Sequence, residues 1–378
     1  MIKVWDYIPE YKKHRKEFLN AIDGVFKSST LIFGPKLTKF ENKFKEFIGT
    51  KYGLGVGNGT DALYIAMKAL NIGAGDEVIT TSNTAVPTVT AIVNTGAKPV
   101  FVDVNKYYLI DDKLIQNKIS KKTKAIIPVH LYGQACDMDK INHIAKKNKI
   151  YVIEDCAQSH GAEYKGKKTG SLGDIGCFSF YPTKILGSYG DAGFITTNKE
   201  KIFDKMMRIR FLGMERKKMS SGHWNGKYYA IEHGTNSRLD EIHAAILLIK
   251  LKYLKKNIKK RQKIANIYNK ELKNTGLILP EINNKNKHAY YIYVVQHKKR
   301  DKIMAELVKK NIHLNISYPW PIHIMEPYKK YVCDACTCLE NTNIFSKKIF
   351  SLPMYPELSL KKQKYTIKTI KKILSRLN

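Results

Sequence analysis

Short apolar runs alternate with helix-like segments between residues 53 and 200, and this alternation is the feature that most restricts the fold. A helix between two strands returns the chain to the same edge of the sheet, so the strands pair in parallel. The sequence therefore predicts an α/β fold with a mostly parallel sheet. The predicted strands are 54–56, 77–81, 99–104, 125–129, 151–154, 177–180 and 193–197, with helix-like runs such as 62–70 and 139–147 between them.

An acidic pair, Glu154 and Asp155, ends the predicted strand at 151–154. Ligands of open α/β sheets bind at the carboxyl ends of the strands, so Asp155 lies where a cofactor would be. A carboxylate there can keep the pyridine nitrogen of pyridoxal phosphate protonated, and Gln158 can hydrogen-bond the phenolic oxygen of the same ring. A helix N-cap would explain an isolated Asp155 equally well.

Lys184 follows the next predicted strand and precedes a glycine-rich stretch. Most lysines of this chain belong on the solvated surface, but a lysine amine at the end of a strand, beside hydroxyls and glycines, is well placed to form a Schiff base. That is how pyridoxal phosphate enzymes hold their cofactor.

A phosphate site is predicted where the strand at 54–56 turns into the helix-like run. Gly57 and Gly59 allow the backbone to approach an anion closely, and the N–H groups of the helix start at Thr60 and Asp61 can bind it. The turn is neither a Walker A loop nor a full dinucleotide fingerprint. Such a turn is weak evidence of phosphate binding by itself, but the turn, Asp155 and Lys184 in this order along the chain are much stronger evidence together.

The chain has 378 residues and a formal net charge of +33, and its length allows one large and one smaller domain. The basic residues are overwhelmingly lysines on surface-like stretches, whereas nucleic-acid readers use arginine at specific contacts, so no nucleic-acid partner is expected. There is neither an 18-residue apolar run nor a signal-peptide core, and the six cysteines fit a reducing compartment. We expect a cytoplasmic protein without a membrane span.

Three of the cysteines lie close together, at positions 333, 336 and 338. A structural zinc site needs four ligands, and this cluster lacks a second pair. Free thiols, and no metal, are the interpretation that we favour.

Seven motifs resemble the DegT/DnrJ/StrS family of pyridoxal-phosphate-dependent sugar aminotransferases. They cover nearly the whole chain in the family's order and spacing. The motifs are Gly-Asn-Gly-Thr-Asp-Ala-Leu (57–63), Gly-Ala-Lys-Pro-Val-Phe-Val-Asp (96–103), Pro-Val-His-Leu-Tyr-Gly-Gln (128–134), Glu-Asp-Cys-Ala-Gln-Ser-His-Gly-Ala (154–162), Ser-Phe-Tyr-Pro-Thr-Lys (179–184), Gly-Thr-Asn-Ser-Arg-Leu-Asp-Glu (234–241) and Ser-Leu-Pro-Met-Tyr-Pro-Glu-Leu (351–358).

The resemblance implies a fold type I architecture, like that of aspartate aminotransferase. A large pyridoxal-phosphate-binding domain would span residues 1–250 and a smaller C-terminal α/β domain residues 251–378. A long helix from 239 to about 271 would join them.

The resemblance also implies roles for individual residues. Lys184 would be the catalytic residue, holding the cofactor and then acting as the general base. Asn236 would reach the phosphate of the neighbouring subunit's cofactor, which makes the enzyme a homodimer with shared sites. The implied cofactor-binding residues are Gly59, Thr60, Asp155, Gln158, Ser179, Lys184 and Asn236, and the implied substrate-binding residues are His160, Tyr181, Ser317 and Tyr318.

Two positions depart from the family pattern. Many relatives stack an aromatic side chain on the cofactor ring where this chain has Ala85. Relatives that act at C3 of the sugar often have histidine where this chain has Ser317, although Tyr318 is retained.

The motif at 234–241 is similar to that of the subgroup that aminates dTDP-linked 3-keto-6-deoxyhexoses. The implied reaction is transfer of an amino group from L-glutamate to C3 of such a sugar, giving an amino sugar for surface glycans. The alternative is C4 amination of a UDP- or GDP-linked 4-keto-6-deoxyhexose. Two other classes are disfavoured. Sugar dehydratases of the family replace the lysine with histidine, and a non-catalytic regulator would tolerate loss of Lys184, Asp155 or Gln158, all of which are present.

Overall fold

The computed structural model describes residues 1–214, 229–332 and 339–377. The helices in these ranges are α1 (Ile8–Lys27), α2 (Pro35–Ile48), α3 (Gly59–Ala69), α4 (Val86–Asn94), α5 (Asp112–Ile115), α6 (Met138–Asn148), α7 (Glu200–Ile209), α8 (Glu241–Leu272), α9 (Arg300–Val308), α10 (Glu340–Lys348) and α11 (Leu360–Leu377). The strands are β1 (Ile2–Lys3), β2 (Tyr52–Val56), β3 (Glu77–Thr81), β4 (Lys98–Val102), β5 (Thr123–Ile126), β6 (Tyr151–Asp155), β7 (Glu163–Tyr164), β8 (Lys167–Lys168), β9 (Ile175–Ser179), β10 (Gly193–Thr197), β11 (Asn286–Lys287), β12 (Tyr293–Gln296), β13 (Ile312–His313) and β14 (Ile349–Leu352).

A seven-stranded sheet in the order β2-β10-β9-β6-β5-β3-β4 forms the centre of the fold. Five neighbouring strands of this sheet pair in parallel, namely β9, β6, β5, β3 and β4. Strand β10 is antiparallel to both of its neighbours, β9 and β2. Each of the seven predicted strands overlaps one of these, and 77–81 and 193–197 have the predicted bounds. The prediction of an α/β fold with a mostly parallel sheet is confirmed.

The sheet is buried on both faces, which is why its strands are continuous apolar runs rather than alternating ones. Strand β10 is buried along its whole length, and β3 is buried except at its first residue. Side chains of one face join α3 in an apolar cluster that includes Ile65 and Met67, and those of the other face join α6 in a cluster that includes Ile141.

Helix α8 connects the sheet to the C-terminal third of the chain. Its first half packs Leu247 and Leu254 into a cluster with the phenylalanines of α2, and its second half packs Tyr268 and Leu272 into a separate cluster. The separate cluster contains the antiparallel pair β12–β14 and the small parallel pair β1–β13. Residue 250 lies within α8, and the division of the chain into domains at that residue stays a prediction.

Two further expectations concern features outside the sheet. Among the described residues, none of the helices combines the length and the apolar character that crossing a membrane requires. The cysteine cluster at 333–338, for which free thiols were predicted, lies outside the described residues.

Candidate active site

Two strands and one helix bring the predicted site residues to one edge of the sheet. Strands β6 and β9 are parallel neighbours that end at Asp155 and Ser179. Helix α3 begins against the same edge, because a Cβ atom added to Gly59 would lie 2.7 Å from the Ser179 Cβ and 3.3 Å from its Oγ. Only glycine allows the helix to start this close to the strand.

The start of α3 has the geometry of an anion site. The side chain of Asn58 caps the helix by accepting a hydrogen bond from the Asp61 N–H at 2.8 Å. The Ala62 N–H donates to the Asn58 carbonyl at 3.1 Å, so the N–H groups of Gly59 and Thr60 precede the first intrahelical bond. With the Ser179 hydroxyl beside Gly59, these N–H groups form an N-terminal cradle that can bind an anion such as a phosphate group.

Lys184 lies in the loop between β9 and β10. The base of this loop is closed by two backbone hydrogen bonds of 2.7 Å, from Phe180 N–H to the Ala192 carbonyl and from Ser188 N–H to the Phe180 carbonyl. Nζ of Lys184 lies 5.0 Å from the centre of the Tyr291 ring, whose hydroxyl is 3.0 Å from the Thr183 Oγ1. These bonds fix the backbone of the loop, and the Lys184 amine lies over the face of the Tyr291 ring.

Asp155 is a buried carboxylate with partners on both oxygens. Oδ1 accepts from the Ala157 N–H at 3.1 Å and Oδ2 from the Thr88 hydroxyl at 2.8 Å. Burial raises the pKa of Asp155 above its ordinary value, and the two hydrogen bonds and the nearby charge of Lys184 oppose that shift. A cation placed beside this carboxylate would relieve the cost of its desolvation.

Gln158 connects two tyrosines. Its Oε1 accepts from the Tyr132 N–H at 2.9 Å, and its Nε2 donates to the Tyr318 hydroxyl at 2.6 Å. A backbone N–H can only donate, so the orientation of the amide is fixed and a second proton of Nε2 remains for another acceptor. The rings of Tyr132 and Tyr318 lie nearly parallel, 6.4 Å apart.

The other predicted substrate residues differ in exposure. Tyr181 is 51 % exposed on the Lys184 loop, and Ser317 is half-buried beside Tyr318. His160 has no exposed surface: its ring packs against Phe178 and Phe180, both at 5.6 Å. Burial lowers the pKa of His160 to about 3, so the ring is neutral. The structure therefore places His160 beneath the candidate site, where it has no surface to offer a substrate.

Asn236 is exposed, and its neighbour Ser237 contacts residues on either side of the start of α3 in its own chain. The Ser237 hydroxyl accepts from the Gly57 N–H at 2.9 Å and donates to Asp61 Oδ2 at 2.6 Å. These bonds hold the segment that carries Asn236 beside the start of α3.

Three residues of the site were missed by sequence reasoning: Thr88, Tyr132 and Tyr291. Thr88 follows Ala85 by three positions, so the segment that lacks the family's aromatic residue still supplies a partner for Asp155. Tyr132 lies within the 128–134 motif, which indicated the family but no role for this residue. No sequence signal pointed to Tyr291, which comes from the C-terminal third of the chain.

His130, Glu154 and Cys156 form a buried cluster whose composition would suit a metal. The Cys136 N–H donates to His130 Nδ1 at 3.1 Å, so Nε2 carries the proton and donates to Glu154 at 2.9 Å. The Glu154 carboxylate also accepts from three backbone N–H groups, those of Gly170, Leu172 and Gly173. The cluster is thus a satisfied hydrogen-bond network that supports the end of β6.

Residues 12–371 match the DegT/DnrJ/EryC1/StrS aminotransferase family. The dTDP-3-amino-3,4,6-trideoxy-alpha-D-glucose transaminase of Micromonospora megalomicea subsp. nigra is 41 % identical, over 99 % of each chain. The dTDP-3-amino-3,6-dideoxy-alpha-D-galactopyranose transaminase of Aneurinibacillus thermoaerophilus is also 41 % identical, over 92 % of each. The UDP-2-acetamido-2-deoxy-3-oxo-D-glucuronate aminotransferase of Pseudomonas aeruginosa is 39 % identical, over 95 % of this chain and 96 % of that protein.

Solved structures show the same fold. DesV of S. venezuelae, in complex with a ketimine intermediate, superposes with a TM-score of 0.93 at 32 % identity, over 99 % of this chain and 98 % of that one. NtdA of Bacillus subtilis, with bound cofactor PMP, has a TM-score of 0.87 at 30 % identity, over 96 % of this chain and 82 % of that one. The predicted aminotransferase architecture is confirmed.

Proposed function

Because this chain belongs to the DegT/DnrJ/EryC1/StrS aminotransferase family, we propose that it transfers the amino group of L-glutamate to the C3 keto group of a dTDP-linked 3-keto-6-deoxyhexose. Pyridoxal phosphate is the proposed cofactor. The observation that carries the proposal is the convergence of Lys184, Asp155 and the start of α3 at one edge of the sheet.

The residues at this edge fit pyridoxal phosphate in three respects. The cradle of Gly59, Thr60 and Ser179 suits its phosphate. The buried Asp155 carboxylate suits a protonated ring nitrogen, since a cation offsets the desolvation that raises its pKa. The remaining Nε2 proton of Gln158 suits the phenolic oxygen.

When bound, pyridoxal phosphate supplies the electron sink that lets an amino group leave one carbon and join another. Lys184 would hold the cofactor through Nζ and, once displaced by the amino donor, take a proton from the donor's α-carbon. Asp155 would keep the proton on the ring nitrogen, and Gln158 would fix the rotation of the ring. The closed base of the Lys184 loop holds the backbone that carries this side chain beside the end of β9.

The position of amination is supported by the named relatives. The two dTDP-sugar transaminases are named for 3-amino products, and the Pseudomonas enzyme is named for a 3-oxo sugar on UDP. The names agree on C3 and differ in the nucleotide, and the 234–241 motif favours the dTDP subgroup. Tyr181, Ser317 and Tyr318, which border Lys184 and Gln158, are the proposed contacts of the sugar.

Product analysis tests the substrate. The protein is incubated with pyridoxal phosphate, L-glutamate and, separately, 3-keto and 4-keto sugars linked to dTDP or UDP, and the carbon that receives nitrogen is identified by NMR. We expect the 3-amino product from the dTDP-linked 3-keto-6-deoxyhexose, formed with the highest kcat/KM. Faster turnover of the UDP-linked 3-keto sugar would overturn the nucleotide, and amination at C4 would overturn the position.

A homodimer with shared sites forms part of the proposal. Asn236 is exposed in the single chain, as expected of a residue that meets a second subunit. We propose that its side chain donates to the phosphate held by the other chain. One lost hydrogen bond to a charged group costs roughly 1.5–3 kcal/mol, so Asn236→Ala should weaken cofactor retention about 10- to 150-fold.

Complementation tests the shared site. Lys184→Ala chains mixed with Asn236→Ala chains should form heterodimers with one intact site, made of Lys184 from one chain and Asn236 from the other. Random exchange places one intact site in half of the dimers, so at a pyridoxal phosphate concentration too low to load the Asn236→Ala parent the mixture should recover about one quarter of wild-type activity. No gain over the separate parents, despite subunit exchange shown by native mass spectrometry, would place Asn236 in its own chain's site.

A further inference from the structure

Among the described residues, the side chain that donates a hydrogen bond to the Asp155 carboxylate is that of Thr88. Its hydroxyl lies 2.8 Å from Oδ2. Both residues are buried, so water does not replace this bond freely. The other carboxylate oxygen is bound by the Ala157 N–H, which belongs to the turn after β6. Thr88 therefore fixes the rotation of the carboxylate from outside its own segment.

The direction of the protons in this network is determined. Thr88 has a single hydroxyl proton, which it donates to the carboxylate. The Thr84 hydroxyl, 3.0 Å from the Thr88 Oγ1, must then be the donor of that second bond. Thr84 and Thr88 thus form a chain of two hydroxyls directed at Asp155, and each bond of such a chain polarises the next.

Packing fixes the position of Thr88. It is the third residue of α4, which begins after Ala85 with proline in its first turn. The neighbouring Val89 and Ile92 have no exposed surface, so the helix cannot shift without opening the core. Thr90, on the same helix, instead meets the Tyr328 hydroxyl at 2.8 Å.

We propose that Thr88 is a positioning residue for transamination, holding the Asp155 carboxylate towards the pyridine nitrogen and stabilising its charge. This inference rests on the proposed function. Burial raises the pKa of Asp155, and the Thr88 bond opposes that shift because it favours the charged form. The other titratable groups that face Asp155 are Lys184, His130, Tyr318, Cys156 and Cys177.

The test compares Thr88→Val, which keeps the shape and removes the hydroxyl, with Thr88→Ser, which keeps the hydroxyl. Thr88→Val should lower kcat roughly 10- to 150-fold, as expected for one lost hydrogen bond to a charged group, with little change in KM. In the Thr88→Val variant the pKa of Asp155 should rise, because the charged form loses a hydrogen bond. The acidic limb of the pH–rate profile should therefore move to higher pH. Thr88→Ser should restore both quantities, and the control Thr90→Val should leave both unchanged.

The half-reaction with L-glutamate, followed spectroscopically, gives the rates without a sugar. If the wild type binds no pyridoxal phosphate or does not react with L-glutamate, the proposed function fails. If the wild type reacts and folded Thr88→Val has the same kcat and pH profile, only the role of Thr88 fails. A loss in Thr88→Ser as large as that in Thr88→Val would assign the effect to packing of the methyl group and would also overturn the inference.

Discussion

Lys184→Ala should abolish transamination, with kcat falling by at least about a thousandfold. The substitution removes the amine that we propose both to hold the cofactor and to move the proton as a general base, and a positioned general base alone contributes roughly 10²–10⁴ to the rate. Lys184→Arg should fail equally, because a guanidinium stays protonated and cannot serve as the nucleophile or the base. The measurement is kcat for the full reaction with L-glutamate and the keto sugar, together with the first-order rate constant of the half-reaction with L-glutamate alone.

Borohydride reduction gives a readout that does not depend on turnover. In the wild type it should fix pyridoxal phosphate covalently to the peptide that contains Lys184, as detected by mass spectrometry. The Lys184→Ala protein should show no such attachment, whereas Lys147→Ala, which changes an exposed lysine in the last turn of α6, should keep both the attachment and the activity. Wild-type turnover by Lys184→Ala would disprove the central assignment.

The sheet could be predicted from the sequence because burial on both faces makes each of its strands a short apolar run. The run at 177–180 illustrates the limits of this reasoning, since the strand itself begins earlier, at Ile175, and ends at Ser179. The secondary structure of the C-terminal third was harder to predict from the sequence. Its strands β12 and β14 have four residues each and pair across a long stretch of chain, so their pattern is too short to indicate a partner.

The candidate site was predictable where one rule applied, namely that ligands bind at the carboxyl ends of parallel strands. That rule placed Asp155, Lys184 was indicated by its own position after a strand, and Ser179 came from the resemblance to the family. Tyr291 and Thr88 were missed because they reach the site through tertiary packing, which leaves no local pattern. The substrate contact of His160 stays a prediction, and the burial of its ring argues against it: the motif gives its neighbours in sequence, but not the Phe178 and Phe180 rings that enclose it.

Asp155→Asn should retain the cofactor and lose most of the rate. The amide keeps the shape of the carboxylate but not its charge, so nothing holds the proton on the ring nitrogen. Removing one partner of a buried ion pair costs about 3–5 kcal/mol, which corresponds to a loss of roughly two to four orders of magnitude in kcat. Asp174→Asn is the matched control, because Asp174 precedes β9 at the opposite edge of the sheet and pairs with Lys199 at 2.6 Å.

The pH dependence separates loss of charge from local damage. In the proposed mechanism, the ionised carboxylate of wild-type Asp155 keeps the proton on the ring nitrogen. Burial raises the pKa of this carboxyl, so the carboxylate becomes protonated, and its effect on the ring is lost, as the pH falls. In Asp155→Asn the ring nitrogen can take its proton only from solvent, which becomes more favourable at low pH. The ratio of wild-type to variant kcat should therefore shrink as the pH is lowered. A near-normal kcat in the variant would instead reduce Asp155 to a residue that caps the turn through the Ala157 N–H.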